Sequence, residues 1–212
     1  MKVSVIIPAL NEETALPATI RAAREAGADE VIVVDGGSAD GTPDAARLLA
    51  DIFLSTAPGR AAQMNAGASA SSGEVLLFLH ADTLLPPESI RAVRAAMRQG
   101  DLLGGAFSVR LGVSSSASAY RKAILRLTGR MIGVRSRLFR AYTGDQAIFV
   151  RKNAHDTIGG FPEAPLMEDV EFSRRITRRG KTILLMWGLR LGHFLGMSPA
   201  TCANIYGWSR GR

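Results

Sequence analysis

An α/β fold, built on an open and mostly parallel sheet flanked by helices, is what this sequence predicts. Strand-like and helix-like patterns alternate through its first 80 residues, and polar, carboxylate-bearing segments follow the strands. Right-handed crossovers in such a pattern lay helices over both faces of a parallel sheet, and ligands bind beyond the carboxyl ends of its strands. The 212 residues, 47% hydrophobic and 21% charged, suit a globular chain and exclude a disordered, collagen-like or disulfide-rich one. That length supports one substantial domain with a short appendage rather than two full domains.

Val3 to Ile7 is a short β-branched run ended by Pro8, and Asn11-Glu12-Glu13 then reads as a helix cap with acids in the first turn. Leu16, Ile20 and Ala23 recur at helical spacing until Gly27, and Val31 to Val34 is an apolar run short enough for a buried strand. Asp40-Gly41-Thr42-Pro43 opens a second helix through Leu49, and Ile52 to Leu54 forms a brief strand. Arg60 to Ser71 is an Ala-rich helix that leads into the strand Val75 to Leu79.

After residue 86 the pattern changes. Pro86-Pro87-Glu88 starts a helix with Ile90, Val93 and Met97 on one face, and Leu103 to Leu111 is a longer strand containing glycine. Ser114-Ser115-Ser116 marks a surface loop before a basic helix with Tyr120, Ile124 and Leu127 inward. Thr143-Gly144-Asp145 precedes a strand from Gln146 to Val150, Gly159-Gly160-Phe161-Pro162 is a turn, and Met167-Glu168-Asp169 opens an Arg-rich helix. The segment Thr182 to Met197 is 16 mostly apolar residues interrupted by Arg190 and His193, too short and too charged for a membrane span. It is expected to lie on a membrane, pack on the domain or mediate association. The expected division is therefore a domain over 1–181 and a tail over 182–212.

The net charge is +7, from 26 Lys+Arg against 19 Asp+Glu, and Arg121, Lys122, Arg126, Arg130, Arg135, Arg137 and Arg140 lie in one stretch of 20 residues. Such a run favours an anionic partner, with a solvated basic face as the plain alternative. It lacks interleaved aromatics, and nucleic acid is not the expected partner. The lone Cys202 rules out an internal disulfide, and the opening MKVSVIIPALNEE has no signal-peptide pattern, so the cytoplasm is the expected location.

Chemistry is expected at the strand ends. Gly36-Gly37-Ser38-Ala39-Asp40-Gly41 follows a strand, but Thr42 stands where a Walker loop needs Lys, and the dinucleotide spacing of glycines is absent. Asp82 ends a hydrophobic strand, where a carboxylate can hold Mg²⁺ or Mn²⁺ against a diphosphate; a plain turn with Thr83 before Pro86-Pro87 is the alternative. Glu168 and Asp169 open a helix, whose dipole favours acids there; the alternative is a general base aimed into the cleft. Successive helical side chains diverge by about 100°, so one member of that pair is expected to reach the reacting centre.

Together these segments resemble the family 2 glycosyltransferases with the GT-A fold. The resemblance runs from residue 1 to about 180 and is carried by VSVIIPALNEE, VIVVDGGSADGT, GRAAQMNAGASASSGEVLLFLHADT and GGFPEAPLMEDVEFSRRI, in that order. It is strongest to a bacterial subgroup described as radical-SAM and selenodomain associated. What the resemblance implies is a nucleotide-diphosphate sugar donor, expected to be a UDP-sugar, a divalent metal (Mn²⁺ or Mg²⁺) and inversion at the anomeric carbon. It places Pro8, Asn11 and Glu12 around the nucleobase and ribose, and has Asp35 accept a hydrogen bond from the base. It brings Arg60 to the pyrophosphate and puts the metal on Asp82. His80 stands where the family commonly has the first Asp of its Asp-x-Asp motif. Asp169, preceded by Glu168, matches the acidic pair that supplies the base, and Asp145 matches a position on the acceptor side. His193 is either a further metal ligand, as in some relatives, or a packed histidine.

In one respect the chain departs from the subgroup. Arg178-Arg179-Gly180-Lys181 runs directly into Thr182-Ile183-Leu184, where a further strand and a basic, Trp-containing segment are expected. The resemblance thus implies an inverting glycosyltransferase acting on an unidentified hydroxyl acceptor, with a lipid-linked acceptor and peripheral membrane contact suggested by the basic stretch and apolar tail. A nucleotide-sugar-binding or membrane-docking module without turnover is the alternative that the His80 substitution and the shortened connection favour. A sugar-phosphate nucleotidyltransferase is a further alternative, weakened because its Gly-rich, Arg- and Lys-bearing phosphate loop is absent.

Overall fold

The computed structural model describes residues 1–98, 100–111, 142–163 and 167–191. The strands are β1 (Val3–Ala9), β2 (Glu30–Asp35), β3 (Ile52–Ser55), β4 (Val75–Phe78), β5 (Thr83–Leu84), β6 (Leu102–Leu111), β7 (Phe149–Arg151) and β8 (Lys181–Leu191). The helices are α1 (Leu16–Glu25), α2 (Thr42–Leu49), α3 (Arg60–Ala70), α4 (Ser89–Met97), α5 (Lys152–Thr157) and α6 (Glu168–Arg179), with a 3-10 turn at Gly144–Gln146. One sheet joins the strands in the order β3-β2-β1-β4-β7-β6-β8-β5. The first four are parallel to one another, β7 is antiparallel to both its neighbours, and β6 and β8 are parallel to each other.

Burial on both faces explains the unbroken apolar runs at the centre of this sheet. Val5, Ile7, Val31, Val33 and Leu77 face one side, where Leu16, Ile20, Ile90, Val93 and Met97 of α1 and α4 cover them. Ile6, Ile32, Val34, Leu76 and Phe78 face the other, under Met64, Ala68, Phe172 and Ile176 of α3 and α6. On that side α3 lies so close to β1 that a Cβ at Gly67 would stand 2.5 Å from Ile6 Cγ2. Only glycine allows this approach.

Register then fixes the functional edge. Ala9 pairs with Asp35, Asp35 with Ser55 and Ile6 with Phe78, so the loops after β1, β2 and β4 leave the same end of the sheet. Since β7 is antiparallel to β4, with Leu77 opposite Phe149, the Gly144–Gln146 turn that precedes β7 arrives at that end as well.

Four expectations are corrected. Asn11-Glu12-Glu13 does not cap α1: the helix starts at Leu16, its N-cap position is Ala15, and Pro17 in the first turn fixes the start. The strand expected from Gln146 begins only at Phe149, because Gln146 caps the 3-10 turn with Thr143 and Ala147 adopts a left-handed φ of 45°. The plain turn considered for Asp82 with Thr83 ends at Asp82, because Thr83 and Leu84 form a short edge strand paired with β8. Lys181–Leu191, read as connection and start of the tail, is a strand lying between β6 and β5, so the sheet runs past residue 181. The Ser114–Ser116 loop, the basic helix, His193 and Cys202 lie outside the described residues. Among the described residues no helix is long and apolar enough to cross a membrane.

Candidate active site

The loops that follow β1 and β2 are joined into one wall. Asn11, in the left-handed region at φ 55°, donates its amide N–H to Ser38 Oγ at 2.8 Å and accepts the Ala39 N–H on Oδ1 at 2.9 Å. The Glu12 N–H reaches Thr42 Oγ1 at 2.8 Å, the Glu13 N–H reaches Asp40 at 3.2 Å, and the Gly41 N–H returns to the Glu13 carboxylate at 3.1 Å. Asp35 lies behind this wall, 3% exposed, accepting from the Gly37 N–H at 3.0 Å, the Ser38 N–H at 3.1 Å and the Ser38 hydroxyl. A carboxylate so committed shapes the loop. Asn11 and Asp35 therefore stand in the wall, while Pro8 and Glu12 line the cleft that it borders.

That cleft, of about 370 Å³, is bounded by Pro8, Ala9, Leu10 and Glu12 on one side, by Gly59, Arg60 and Gln63 at the start of α3, and by His80, Ala81 and Asp82 beyond β4. Arg60 is the one cation among its lining residues. The His80–Asp82 segment is anchored from below: buried Thr19 of α1 donates its hydroxyl to the Ala81 carbonyl at 2.6 Å. Asp82 takes only the Thr83 hydroxyl, at 3.4 Å, and no ion pair forms on it among the described residues. A single free carboxylate at the rim of a cleft suits a divalent cation whose other ligands are phosphate oxygens and water. No cluster of three metal-ligating side chains occurs among the described residues, so protein atoms alone do not make a closed metal site there.

Arg60 connects this rim to the acidic pair. Its Nε lies 3.6 Å from Glu168 Oε1, and its Nη2 contacts the His80 imidazole. Burial, reinforced by the adjacent guanidinium, holds the His80 pKa down at about 3, so the ring is neutral at physiological pH. A guanidinium only donates hydrogen bonds, so the contacted Nε2 is the acceptor.

Asp169 sits one residue into α6, within an acidic first turn of Glu168, Asp169 and Glu171 that the helix dipole favours. Its carboxylate accepts the Gly144 N–H and, at 2.7 Å, the Val170 N–H. A Cβ placed on Gly144 would lie 2.6 Å from His80 Nε2, 3.2 Å from Arg60 Nη2 and 3.3 Å from Asp169 Oδ2. Three expected site residues thus meet around one glycine. Glu168, 8% exposed, turns to Arg60, whereas Asp145 is held in its own turn by the Thr143 hydroxyl.

Sequence reasoning missed Gly144 itself, Thr19 and Gln63. Gly144 was within reach, since it adjoins Asp145 in a segment already marked for the acceptor side; Thr19 and Gln63 are single polar residues inside ordinary helices and carry no local signal.

Residues 4–161 match the family model described as Glycosyl transferase family 2. A curated relative from Serratia proteamaculans, an undecaprenyl-phosphate 4-deoxy-4-formamido-L-arabinose transferase, is 32% identical over 158 residues, covering 66% of this chain and 48% of its own length. The chain thus spans about half the length of the curated relatives it matches. Among solved structures, S. aureus TarS 1-349 in complex with UDP-GlcNAc aligns at a TM-score of 0.68 and 19% identity over 94% of this chain and 61% of that one. The mannosyltransferase PcManGT of Pyrobaculum calidifontis, in complex with GDP-Man and Mn²⁺, aligns at 0.65 and 19% identity over 88% and 55%. These likenesses show the GT-A fold, and the family match, which covers most of the chain including the cleft-lining strand ends and Arg60, shows that the chain belongs to glycosyl transferase family 2.

Proposed function

We propose that this glycosyltransferase moves a sugar from a UDP-sugar to a hydroxyl acceptor with inversion at the anomeric carbon, using Asp169 as the base. The observation that carries this reading is the meeting of Arg60, His80 and Asp169 around Gly144, with Arg60, His80 and Asp82 lining one cleft. Arg60 is the cation available to a diphosphate in the cleft. With the diphosphate between Arg60 and Asp82, the sugar is directed toward the Gly144 turn and the Asp169 carboxylate that it holds. The acceptor oxygen attacks the anomeric carbon, the bond from that carbon to the diphosphate oxygen breaks, and its electron pair leaves with the nucleotide. Asp169 takes the acceptor's proton, and the Gly144 N–H fixes the orientation of its carboxylate. Asp82 would hold Mn²⁺ or Mg²⁺, which supplies neutralisation of the charge that builds on the leaving diphosphate. A neutral His80 adds no charge there; it accepts from Arg60 and holds that guanidinium at the rim.

The acceptor reading is lipid-linked, with peripheral contact at the cytoplasmic face of the membrane. Support comes from the relatives, whose names include an undecaprenyl-phosphate carrier. Affiliation with the radical-SAM and selenodomain associated subgroup rests on the four sequence motifs alone, and the relatives found carry other names. A second reading, nucleotide-sugar binding without turnover, is favoured by the passage of α6 through Gly180 alone into β8, which leaves no separate acceptor segment at that place.

Calorimetric titration with UDP, with and without Mn²⁺, on the wild-type chain and on Asp82→Ala tests the donor site. Metal-dependent binding that disappears in the variant is expected, and no binding of UDP or GDP in either condition refutes the reading. Metal-dependent release of UDP from a UDP-sugar then separates the enzyme from the binder.

A further inference from the structure

Gln63 lies on α3 three residues after Arg60 and is 3% exposed. Its Nε2 donates to the carbonyl oxygens of Ala9, at 2.9 Å, and Val34, at 2.8 Å. These carbonyls stand at the ends of β1 and β2, where the two wall loops begin. A carboxamide has two N–H donors and one acceptor oxygen. Both donors are committed, which also fixes the orientation of the group: turned over, it would set its oxygen against two carbonyl oxygens. Oε1 accepts no hydrogen bond from the described residues. Nor is it sealed in the interior, since the buried side-chain atom without a partner among those residues is His155 Nε2. Gln63 lines the cleft, and Oε1 is the side-chain polar atom it has left without a partner among the described residues. Gly36 keeps the approach open, for a Cβ at that position would stand 3.2 Å from this oxygen.

We propose that Gln63 determines nucleobase specificity, its Oε1 acting as an obligate acceptor that selects bases with a ring N–H (uracil, guanine) over bases with a ring lone pair at the equivalent edge (cytosine, adenine). The inference rests on the donor-site reading above. With the diphosphate at Arg60 and the sugar directed to Gly144, the nucleoside lies the other way, over the ends of β1 and β2 that Gln63 joins. Asp35, the residue first expected to read the base, is occupied by its own loop. Uracil N3 and guanine N1 carry a proton; cytosine N3 and adenine N1 carry a lone pair, which against Oε1 leaves two desolvated acceptors facing each other. A free carboxamide would accept either pattern by turning over. Here Ala9 and Val34 prevent that.

The test is calorimetry of the full chain, in the presence of Mn²⁺, with UDP, GDP, CDP, ADP and UDP methylated at N3. At least one of UDP and GDP is expected to bind roughly tenfold or more tighter than CDP and ADP, and N3-methylation to reduce UDP to the level of CDP. In Gln63→Met, with folding verified by circular dichroism, UDP is expected to fall to the CDP level. Equal binding of all four nucleotides, undiminished binding of N3-methyl-UDP, or discrimination that persists in Gln63→Met overturns the role of Gln63 and leaves the donor site standing. No binding of any nucleotide by the wild-type chain overturns the donor site, and the role of Gln63 with it. The N3-methyl comparison requires no variant, so a Gln63→Met chain that fails to fold does not shield the proposal.

Discussion

The Asn65 carboxamide grips the backbone of Phe161 at both polar atoms, donating from Nδ2 to the Phe161 carbonyl at 2.9 Å and accepting the Phe161 N–H on Oδ1 at 2.8 Å. Asn65 is on α3, the helix that Arg60 opens, and Phe161 closes the turn that precedes α6 with its acidic pair. Phe161 also stacks on Phe172 of α6, ring centroids 3.9 Å apart. This one side chain therefore ties the helix that carries the cation to the segment that carries the carboxylates.

Removal of that grip leaves a buried N–H and C=O without partners. Asn65→Ala is expected to cost about 1–3 kcal/mol of stability, measured by urea unfolding. Asn65→Asp, which keeps an acceptor for the Phe161 N–H but not a donor for its carbonyl, should also destabilise. An Asn65→Ala chain as stable as wild type would show that the contact contributes nothing.

At the opposite end of the sheet, Glu30 sits among the Ser4 hydroxyl at 2.5 Å, the Ser72 hydroxyl at 2.6 Å, the Ser72 N–H at 3.0 Å and Lys2 Nζ at 3.5 Å. Burial alone would raise its pKa, but the hydrogen bonds from Ser4 and Ser72 and the Lys2 charge outweigh it and bring the group from 4.5 to about 2. A folded-state pKa below the unfolded one means stability that is complete above pH 4.5 and lost as pH falls through about 2. The difference between wild type and Glu30→Gln in urea unfolding should approach ~3 kcal/mol at pH 7 and shrink toward zero near the lower limit. A difference that does not vary with pH would refute this account.

The parts of the fold that were legible are those fixed by local pattern. Val3–Ala9 and Val75–Phe78 carry no charge, and Glu30–Asp35 carries charge only at its two ends, because helices cover both faces of these strands. Lys181–Leu191 is a strand because β6 lies beside it in parallel register, a long-range pairing that no local window contains, and its mostly apolar run from Thr182 read as the start of a tail. At the site, carboxylates at strand ends announce themselves by position. Whether one faces the cleft or its own loop depends on where the backbone N–H groups point, and this is why Asp35 and Asp82 look alike in sequence and differ in the structure. Gln63, inside an Ala-rich helix, gives no sign that two strand-end carbonyls wait for it.

His155 of α5 is packed among Phe78, Phe161 and Phe172, at centroid distances of 5.8, 6.1 and 5.7 Å, with Nδ1 3.1 Å from Asp156 and Nε2 without a partner among the described residues. Burial lowers its pKa below 6.5, with Lys152 adding to the effect and Asp156 opposing it. The neutral ring is the folded form, so its contribution to stability is complete above pH 6.5 and declines as pH falls below that value. One proton limits the slope to about 1.4 kcal/mol per pH unit. Thermal unfolding between pH 8 and 5 should show the decline in wild type and a flatter profile in His155→Phe; identical profiles would exclude His155 as the group responsible.

Gly144 and Asp169 offer the sharpest test of the catalytic reading. A methyl group at Gly144 would stand 2.6 Å from His80 Nε2 and 3.3 Å from Asp169 Oδ2, so Gly144→Ala must displace the imidazole, the carboxylate or the turn itself. Displacement of a reacting group by about 1 Å can cost roughly 100-fold in rate, and loss of a general base costs about 10²–10⁴-fold. Release of UDP from a UDP-sugar under single-turnover conditions should therefore fall strongly in both Gly144→Ala and Asp169→Asn, while Asp145→Asn, whose carboxylate is confined to its own turn, changes little. If Gly144 acts by holding Asp169, the two losses do not multiply, because a carboxylate already removed cannot be misplaced. The double variant should then be no slower than Asp169→Asn alone. A double variant slower by the product of the two single effects would mean that Gly144 serves the sugar directly and that the orientation of Asp169 is set elsewhere.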